Sequence, residues 1–167
     1  MQFSRTLKDT LLKVLPAIDA EAHCDIPCGI YDPTPAKIAA KTVQRMVMQI
    51  QELKPPSFPP DPTAMKAMAN MMVRRIKVKE DHAEQCKHEI LILWTDFFKP
   101  EHLEKFPELH NTVWKAAKLC SKNKQEVSVD AANDLVVAVD SIAEIFYEAK
   151  NVPNRFEAYK EITDKLF

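Results

Sequence analysis

The sequence predicts an all-α protein, and three features support this prediction. The chain of 167 residues contains one glycine and 12 prolines, and it has few runs of alternating apolar and polar residues, which mark strands. Apolar residues recur instead at intervals of three and four, as in amphipathic helices, and prolines separate these segments. We therefore predict an antiparallel four-helix bundle, residues 34–152, preceded by an irregular N-terminal segment.

The first two predicted helices are separated by a proline-rich segment. The first begins with Thr34 as its N-cap and ends near Lys54, where the sequence PPSFPPDP begins. Its apolar series is Ile38, Val43, Met46, Ile50 and Leu53. The second begins at Asp61 and Pro62 and runs to the stop at Lys99–Pro100, which makes it unusually long. Its apolar series is Met65, Met68, Met72, Ile76, Ala83, Cys86, Ile90, Leu93 and Phe97.

Two further helices and a short tail follow. The third helix begins near Pro107 and the fourth near Ser128. Their apolar faces are Leu109, Val113, Ala116 and Cys120 in the third helix, and Leu135, Val139, Ile142 and Phe146 in the fourth. Residues 153–167 are predicted to form an amphipathic extension that docks on the bundle or on a neighbouring subunit. Its apolar side consists of Phe156, Tyr159 and Ile162.

Composition excludes several classes of function. The formal net charge is −1, so the chain shows no electrostatic bias toward nucleic acid or an anionic membrane surface. No stretch approaches ~18 consecutive apolar residues, so no membrane-spanning helix is expected. The motif Glu-x-x-His, the signature of di-iron carboxylate bundles, does not occur in the sequence.

Residues 23–33, with the sequence HCDIPCGIYDP, combine several potential metal ligands outside the predicted helices. The spacing of Cys24 and Cys28 is ambiguous by itself, because it fits a zinc site, a redox-active dithiol or two buried thiols without function. His23 favours a metal site, since thiolate and imidazole are both good ligands for late transition metals. Because Gly29 allows the backbone to reverse, we predict that this segment, called the hook below, folds back on itself.

Residues 1–22 have features of a leader. Residues 20–22, Ala-Glu-Ala, resemble a small-residue cleavage site, but Lys13, Pro16 and Asp19 interrupt the apolar core that a secretory signal requires. We therefore expect a cleavable propeptide that is not a secretory signal, and a cytoplasmic protein.

Cleavage before His23 would complete a set of metal ligands that the uncleaved chain lacks. The free amine of His23 and the amide nitrogen and sulfur of Cys24 form two fused five-membered chelate rings around one metal, and the sulfur of Cys28 closes the fourth in-plane position. A planar set of two nitrogens and two sulfurs favours Ni(II) or Cu(II) over tetrahedral zinc. The imidazole of His23 can then reach an axial position.

The hook sequence resembles the metal-binding hook of the nickel superoxide dismutases. The match covers eleven contiguous residues, and LWTDFFKP at 93–100 with FPELH at 106–110 resembles a second segment of that family. The resemblance extends over about residues 23–152. It implies that one nickel ion per subunit, alternating between Ni(II) and Ni(III), converts superoxide to dioxygen and hydrogen peroxide.

The resemblance also implies roles for individual residues and a form of assembly. His23, Cys24 and Cys28 would bind the nickel. Asp25 and Tyr31 would shape the hook and limit approach to the metal to a small anion. The resemblance further implies a homohexamer of four-helix subunits and a dedicated protease that removes the propeptide.

Three positions depart from the family pattern. In the family, a glutamate early in the first helix and an arginine on the second helix of a neighbouring subunit hold the axial imidazole, but the aligned positions here are Ala39 and His82. A second tyrosine that faces the site aligns with Phe97. Because a metal-bound histidine normally needs a partner for its other ring nitrogen, His82 is the best candidate for that contact.

Two other classes of function remain open from the residues alone. A zinc-binding structural or regulatory module would use Cys24 and Cys28, but it gives no reason for a cleavable leader. A dithiol redox module would use the same pair and would need a cysteine with a low pKa, which the negative charges of Asp25 and Asp32 disfavour.

Several residues outside the hook are predicted to serve the structure. His82 and Cys86 are four residues apart on one helix and could share a metal, although a histidine at the core edge and a buried thiol are the expected roles. Trp94 and Trp114 lie at apolar helix positions and are expected to anchor the core. The charged residues from 74 to 81 are expected to form a solvated or subunit-facing side.

Overall fold

The computed structural model describes residues 29–59 and 61–167. Every regular element in this part of the chain is helical, as predicted. The elements are α1 (Thr34–Gln51), α2 (Pro62–Ile92), α3 (Pro100–Lys105), α4 (Leu109–Gln125), α5 (Val129–Ala149) and α6 (Asn154–Thr163), with a π-helical turn (Leu93–Phe97) directly after α2. Helix α1 packs on α2 and α5, and α4 packs on the same two helices, so these four helices form the bundle. None of the helices in the described ranges is long and apolar enough to cross a bilayer.

The core lies between the four long helices and is built from the apolar faces that the sequence predicts. The two cysteines Cys86 and Cys120 are free thiols at its centre. The other predicted residues of the helix faces that are buried are Val43, Ile50, Ala83, Ile90, Leu93, Leu109, Val113, Ala116, Leu135, Val139, Ile142 and Phe146. Spacing at three and four residues therefore identified most of the inward-facing residues of the four long helices.

The helix starts follow local capping chemistry. The second and fourth predicted helices begin where expected, with Asp61 and Ser128 as N-caps, and each side chain accepts a hydrogen bond from the backbone N–H three residues later. Thr34 begins α1 but is not its N-cap, which is Pro33. The carboxylate of Asp32 accepts the N–H of Thr34 instead, at 2.9 Å.

Helix α2 ends earlier than predicted, and its first half is exposed. The helix stops at Ile92, and the following π-helical turn and the short α3 occupy the segment that the sequence assigned to one long helix and its end. The side chain of Lys79 contacts the C-terminal end of α4. Residues 62–78, which precede Lys79 on α2, therefore extend beyond the level at which α4 ends. Met65 is therefore 52% exposed, contrary to the prediction that it belongs to a buried face.

Lys79 is buried, although the charged run at 74–81 was predicted to be solvated or subunit-facing. Its ammonium group donates to the carbonyl of Asn123 and to those of Lys124 and Glu126, at 3.0 and 3.1 Å. These carbonyls lie at or just after the C-terminal turn of α4, where positive charge is favourable. Burial lowers the pKa of Lys79, and the three carbonyls compensate for the lost water.

The prediction that Trp114 anchors the core is wrong. Its side chain is 55% exposed, and the ammonium group of Lys118 lies 5.5 Å from its ring. Trp94 is half-buried and packs on His110, with ring centroids 5.4 Å apart. Two other apolar residues of the predicted faces are also exposed, namely Ile38 and Ile162. The exposure of these residues follows from the side of the helix on which they lie and not from their hydrophobicity.

Candidate metal centre

Most of the predicted metal centre lies outside the residues that the structure describes. His23, Cys24, Asp25 and Cys28 precede the first described residue, Gly29. Tyr31 is the predicted site residue that lies within the described part of the chain.

Gly29 has a φ of 89°, and a Cβ added there would meet nothing within 4 Å. The positive φ, rather than a lack of space, therefore requires glycine at this position. The described end of the hook thus begins with the backbone reversal for which the sequence supplies its one glycine.

Tyr31 connects the end of the hook to the bundle. Its side chain is buried, with 8% exposure, and its ring packs on that of Phe97 with centroids 5.8 Å apart. Phe97 in turn packs on Phe146 of α5 at 4.4 Å and stacks on His102 of α3 at 5.6 Å. An aromatic cluster from three elements therefore fixes the position of the Tyr31 ring.

The π-helical turn brings Phe97 into this cluster. The N–H of Phe98 donates to the carbonyl of Leu93 at 3.0 Å, which is the five-residue step of a π-helix rather than the four-residue step of an α-helix. Such turns are common at functional sites because they change the direction in which the next side chains point. Phe97 occupies the position at which the family resemblance implies a second tyrosine, so this chain has no hydroxyl there.

Asp32 joins the end of the hook to α1 and α5. One carboxylate oxygen accepts the N–H of Thr34, and the other accepts the hydroxyl of Tyr147 at 3.4 Å. Burial, together with the negative charge of Asp32, raises the pKa of Tyr147 to about 12. Tyr147 therefore stays protonated at neutral pH and keeps its role as the donor.

Asp32 and Tyr147 also line a cleft of about 210 Å³ between the end of the hook and α6. The opposite wall includes Arg155 and Thr163 of α6. The cleft places the C-terminal helix directly beside the last residues of the hook, which sequence reasoning did not foresee. Asp32 and Tyr147 are 115 positions apart, so no local pattern could have indicated their contact.

Two of the three positions that depart from the family pattern, Ala39 and His82, lie on α1 and α2. Ala39 is buried in the core and offers no polar group to the hook. His82 is half-buried, and its Nδ1 lies 2.8 Å from the carbonyl oxygen of Val78 on the same helix. Because a carbonyl oxygen can only accept, Nδ1 is the donor in this contact, and Nε2 can act as an acceptor in the corresponding tautomer.

No second metal site is found in the described ranges, 29–59 and 61–167, where no group of three or more His, Cys, Asp or Glu side chains could hold an ion. Cys86, the neighbour of His82 on α2, is fully buried. A hydrogen bond with Cys120, and burial, raise the pKa of the Cys86 thiol well above its usual range. Because metals bind the thiolate, Cys86 fits its predicted structural role.

Comparisons with known proteins give a consistent result. The chain matches the family described as nickel-containing superoxide dismutase over residues 18–150. It is 35% identical over 138 residues to the superoxide dismutase (Ni) of Streptomyces coelicolor and 36% identical over 135 residues to that of Streptomyces seoulensis, in both cases covering 81% of this chain and 93% of the relative. A solved Ni-containing superoxide dismutase, with ligation corresponding to the oxidized state, superposes with a TM-score of 0.66 at 32% identity, covering 77% of this chain and 99% of that chain.

Three further solved structures are variants of a nickel superoxide dismutase, with TM-scores of 0.65, 0.62 and 0.65. They share 31 to 33% identity with this chain and cover 72 to 77% of it and 99% of each matched chain. The variants replace an aspartate at the third position, a histidine at the first and a tyrosine at the ninth. Counted from His23, this chain has the same residue types at those positions, namely His23, Asp25 and Tyr31. The extent of the family match and the identity to both relatives show that the chain belongs to the nickel-containing superoxide dismutases.

Proposed function

We propose that this protein is a nickel-dependent superoxide dismutase that becomes active when residues 1–22 are removed. Two superoxide ions and two protons would give one dioxygen and one hydrogen peroxide. The observation that carries the proposal is the complete hook sequence joined to a bundle that buries Tyr31 against Phe97. Membership of the nickel-containing family supports nickel as the cofactor, and we propose one ion per subunit.

His23, Cys24 and Cys28 are the proposed nickel ligands. The donors are the N-terminal amine of His23, the amide nitrogen and thiolate of Cys24 and the thiolate of Cys28, with the His23 imidazole as the axial donor. This set fits nickel better than zinc, which prefers tetrahedral sites. Bound nickel would supply one-electron chemistry, because two thiolates and a deprotonated amide donate enough electron density to make Ni(III) accessible.

The aromatic cluster supports a role for Tyr31 in restricting access. Its ring is held by Phe97 and is buried, so it forms a fixed surface at the end of the hook. A fixed ring beside a metal loop excludes bulky molecules and leaves room for a small anion. We propose that Asp25 acts with Tyr31 by shaping the hook.

Removal of the propeptide is the proposed switch for metal binding. While Ala22 is attached, the nitrogen of His23 belongs to a peptide bond, and its lone pair is delocalised. The amine donor therefore exists only after cleavage. Residues 1–22 carry three basic and three acidic side chains, so cleavage leaves the formal side-chain charge at −1. The correspondence with a histidine at the first position of a solved relative supports this cleavage site.

We also propose a homohexamer, a cytoplasmic location, a processing protease and a role for His82. The exposed part of α2, residues 62–78, presents Met65, Met71 and Val73, which supports burial of this surface by a neighbouring subunit.

The polar residues that interrupt the apolar core of the propeptide support the proposed cytoplasmic location. The half-buried His82, with Nε2 as an acceptor, remains the proposed partner of the axial imidazole across a subunit interface.

The test compares the precursor with the processed chain, residues 23–167, after incubation with equal amounts of nickel. We expect one nickel per processed chain and superoxide-dependent turnover, whereas the precursor should bind nickel weakly and remain inactive. The same processed chain loaded with zinc is the control and should show no turnover. Full activity from a chain that mass spectrometry shows to retain Met1 to Ala22 would refute the amine-ligand proposal.

A further inference from the structure

The chain beyond the family match folds back onto the bundle. The match ends at residue 150, and Asn151 has a φ of 59°, a left-handed conformation typical of the residue that ends a helix. The N–H of Val152 donates to the carbonyl of Tyr147 at 2.9 Å, which closes the turn. Helix α6 then packs on α5 and α1 of its own chain.

A cluster of two lysines and two aspartates holds α6 in place. Lys37 of α1 contacts Asp140 of α5 at 2.5 Å and Asp164, just after α6, at 2.9 Å. Lys160 of α6 contacts the same two carboxylates at 2.8 and 2.9 Å. Each ammonium group thus pairs with both carboxylates, and the cluster has no net charge.

Lys37 depends on this cluster because of its position. Its side chain is 0% exposed, and it lies in the first turn of α1, where the helix dipole disfavours positive charge. A buried cation without partners is strongly destabilising. Asp140 provides one partner from the bundle, and Asp164 provides the other from the C-terminal extension. Helix α6 therefore stabilises the start of the helix that follows the hook.

A second chain of contacts leads from α6 to the hook. Tyr159 of α6 is buried, and its hydroxyl donates to Asp140 at 3.3 Å. Its ring packs edge-on against that of Tyr147, with centroids 5.8 Å apart. Tyr147 donates in turn to Asp32, the carboxylate that also accepts the N–H of Thr34. The extension is thus connected by direct contacts to the last residues of the hook.

We propose that α6 is a strap that fixes the end of the hook on the bundle, and that Tyr147 and Asp164 are positioning residues for the nickel centre. The proposal rests on the proposed function, because it assigns the strap a role in nickel binding. A metal loop that is held at its C-terminal end loses less conformational freedom when it closes around the metal. The strap would therefore tighten nickel binding without supplying a ligand.

The test uses two variants of the contacts that join the strap, the bundle and the hook, called the strap variants, and one matched control in the processed chain, residues 23–167. Tyr147→Phe removes only the hydroxyl that reaches Asp32, and Asp164→Asn removes one carboxylate from the lysine cluster. Glu161→Gln is the control, because Glu161 is exposed and forms an ion pair with Lys165 that is separate from the lysine cluster. The measurements are amide hydrogen exchange of residues 29–37, which needs no metal, and the Kd for nickel ion, with the melting temperature as a check on folding.

We expect faster exchange at residues 29–37 and a nickel Kd about tenfold higher in both strap variants, with the control unchanged. Unchanged exchange and an unchanged Kd in both variants would overturn the proposal. A lower melting temperature with an unchanged Kd would also overturn it, since the strap would then serve stability alone. If the unsubstituted processed chain binds no nickel, the proposed function fails, while the exchange comparison still tests whether α6 holds the hook.

Discussion

The rings of Tyr31 and Phe97 pack 5.8 Å apart at an angle of 55°, which joins the end of the hook to the π-helical turn after α2. The contact links the segment that carries the proposed ligands to the part of the bundle that departs from regular α-helix. Phe97 also contacts α3 and α5 through His102 and Phe146. The Phe97 ring therefore connects Tyr31, at the end of the hook, with α3 and α5.

Replacing Phe97 with alanine should both lower the stability of the protein and weaken the attachment of the hook to the bundle. We expect the free energy of unfolding to fall by about 2 kcal/mol, because the half-buried ring loses its packing and leaves a cavity. Nickel binding by the processed chain should weaken, since Tyr31 loses its ring contact with Phe97. Urea unfolding and a nickel titration measure the two effects. Phe97→Tyr is the control and should retain both properties, and normal nickel binding by Phe97→Ala would contradict the role of the cluster.

Cys24→Ser and Cys28→Ser should each abolish dismutase activity while the helical bundle remains folded. Serine oxygen does not stabilise Ni(III) as thiolate does, and both residues precede the bundle. Superoxide consumption measures the activity, and far-ultraviolet circular dichroism measures the helix content. The matched control is Cys86→Ala, which should lower the free energy of unfolding by about 1 kcal/mol and leave activity unchanged. An active, nickel-loaded serine variant would rule out the two-thiolate site.

His82→Ala should reduce turnover less than the loss of either cysteine does. The proposed role of His82 is to orient the axial imidazole, and the equatorial ligands remain when it is absent. Steady-state rates measured across pH give the effect on turnover. His88→Ala, an exposed histidine on the same helix, is the control. Equal rates for both variants would show that His82 does not orient the imidazole.

Lys79→Met should lower the free energy of unfolding by about 2 kcal/mol, because three carbonyls near the end of α4 lose their shared donor. Thermal or urea unfolding provides the measurement. Lys77→Met is the matched control, since Lys77 is an exposed residue on the same helix that pairs only with Asp81, and the expected change is within about 0.5 kcal/mol. Equal losses in the two variants would contradict the capping role of Lys79.

Tyr147 should ionise late in an alkaline titration. Burial and the charge of Asp32 raise its pKa from 10.0 to about 12, so between these values the unfolded chain has lost the proton and the folded chain retains it. Stability contributed by this group is therefore fully present below pH 10.0 and decreases as the pH rises toward about 12. Phenolate absorbance follows the ionisation, and unfolding curves follow stability. Tyr147→Phe should remove this part of the pH dependence, and a titration near pH 10.0 would contradict it.

The sequence predicted the bundle well because its core depends on periodicity. Leu109, Val113 and Cys120 recur at helical spacing, and all three are buried. Periodicity alone does not show which of two adjacent apolar residues faces the core. Trp114 was therefore expected in the core, although Val113 occupies the inward position. Proline signals also misled at Pro100, which begins α3 in the structure and had been interpreted only as the end of the preceding helix.

The contacts that the sequence could not predict join distant parts of the chain. Lysine is usually a surface residue, and the carbonyl partners of Lys79 lie more than 40 positions away in the sequence. The π-helical turn depends on the packing of Phe97 against other elements, which has no local signature. The proposed ligands, by contrast, lie close together in the sequence, so a metal site could be predicted from the order of residues, and it stays a prediction because these ligands precede the described residues.

The projecting part of α2 has a consequence for how this protein can vary. Residues 62–78 span about 25 Å at 1.5 Å per residue, and most of their side chains are exposed. An insertion or deletion of whole helical turns here would lengthen or shorten an arm while leaving the Tyr31 cluster and the lysine cluster in register. Evolution could therefore change the length of this arm independently of the residues at the opposite end of the bundle.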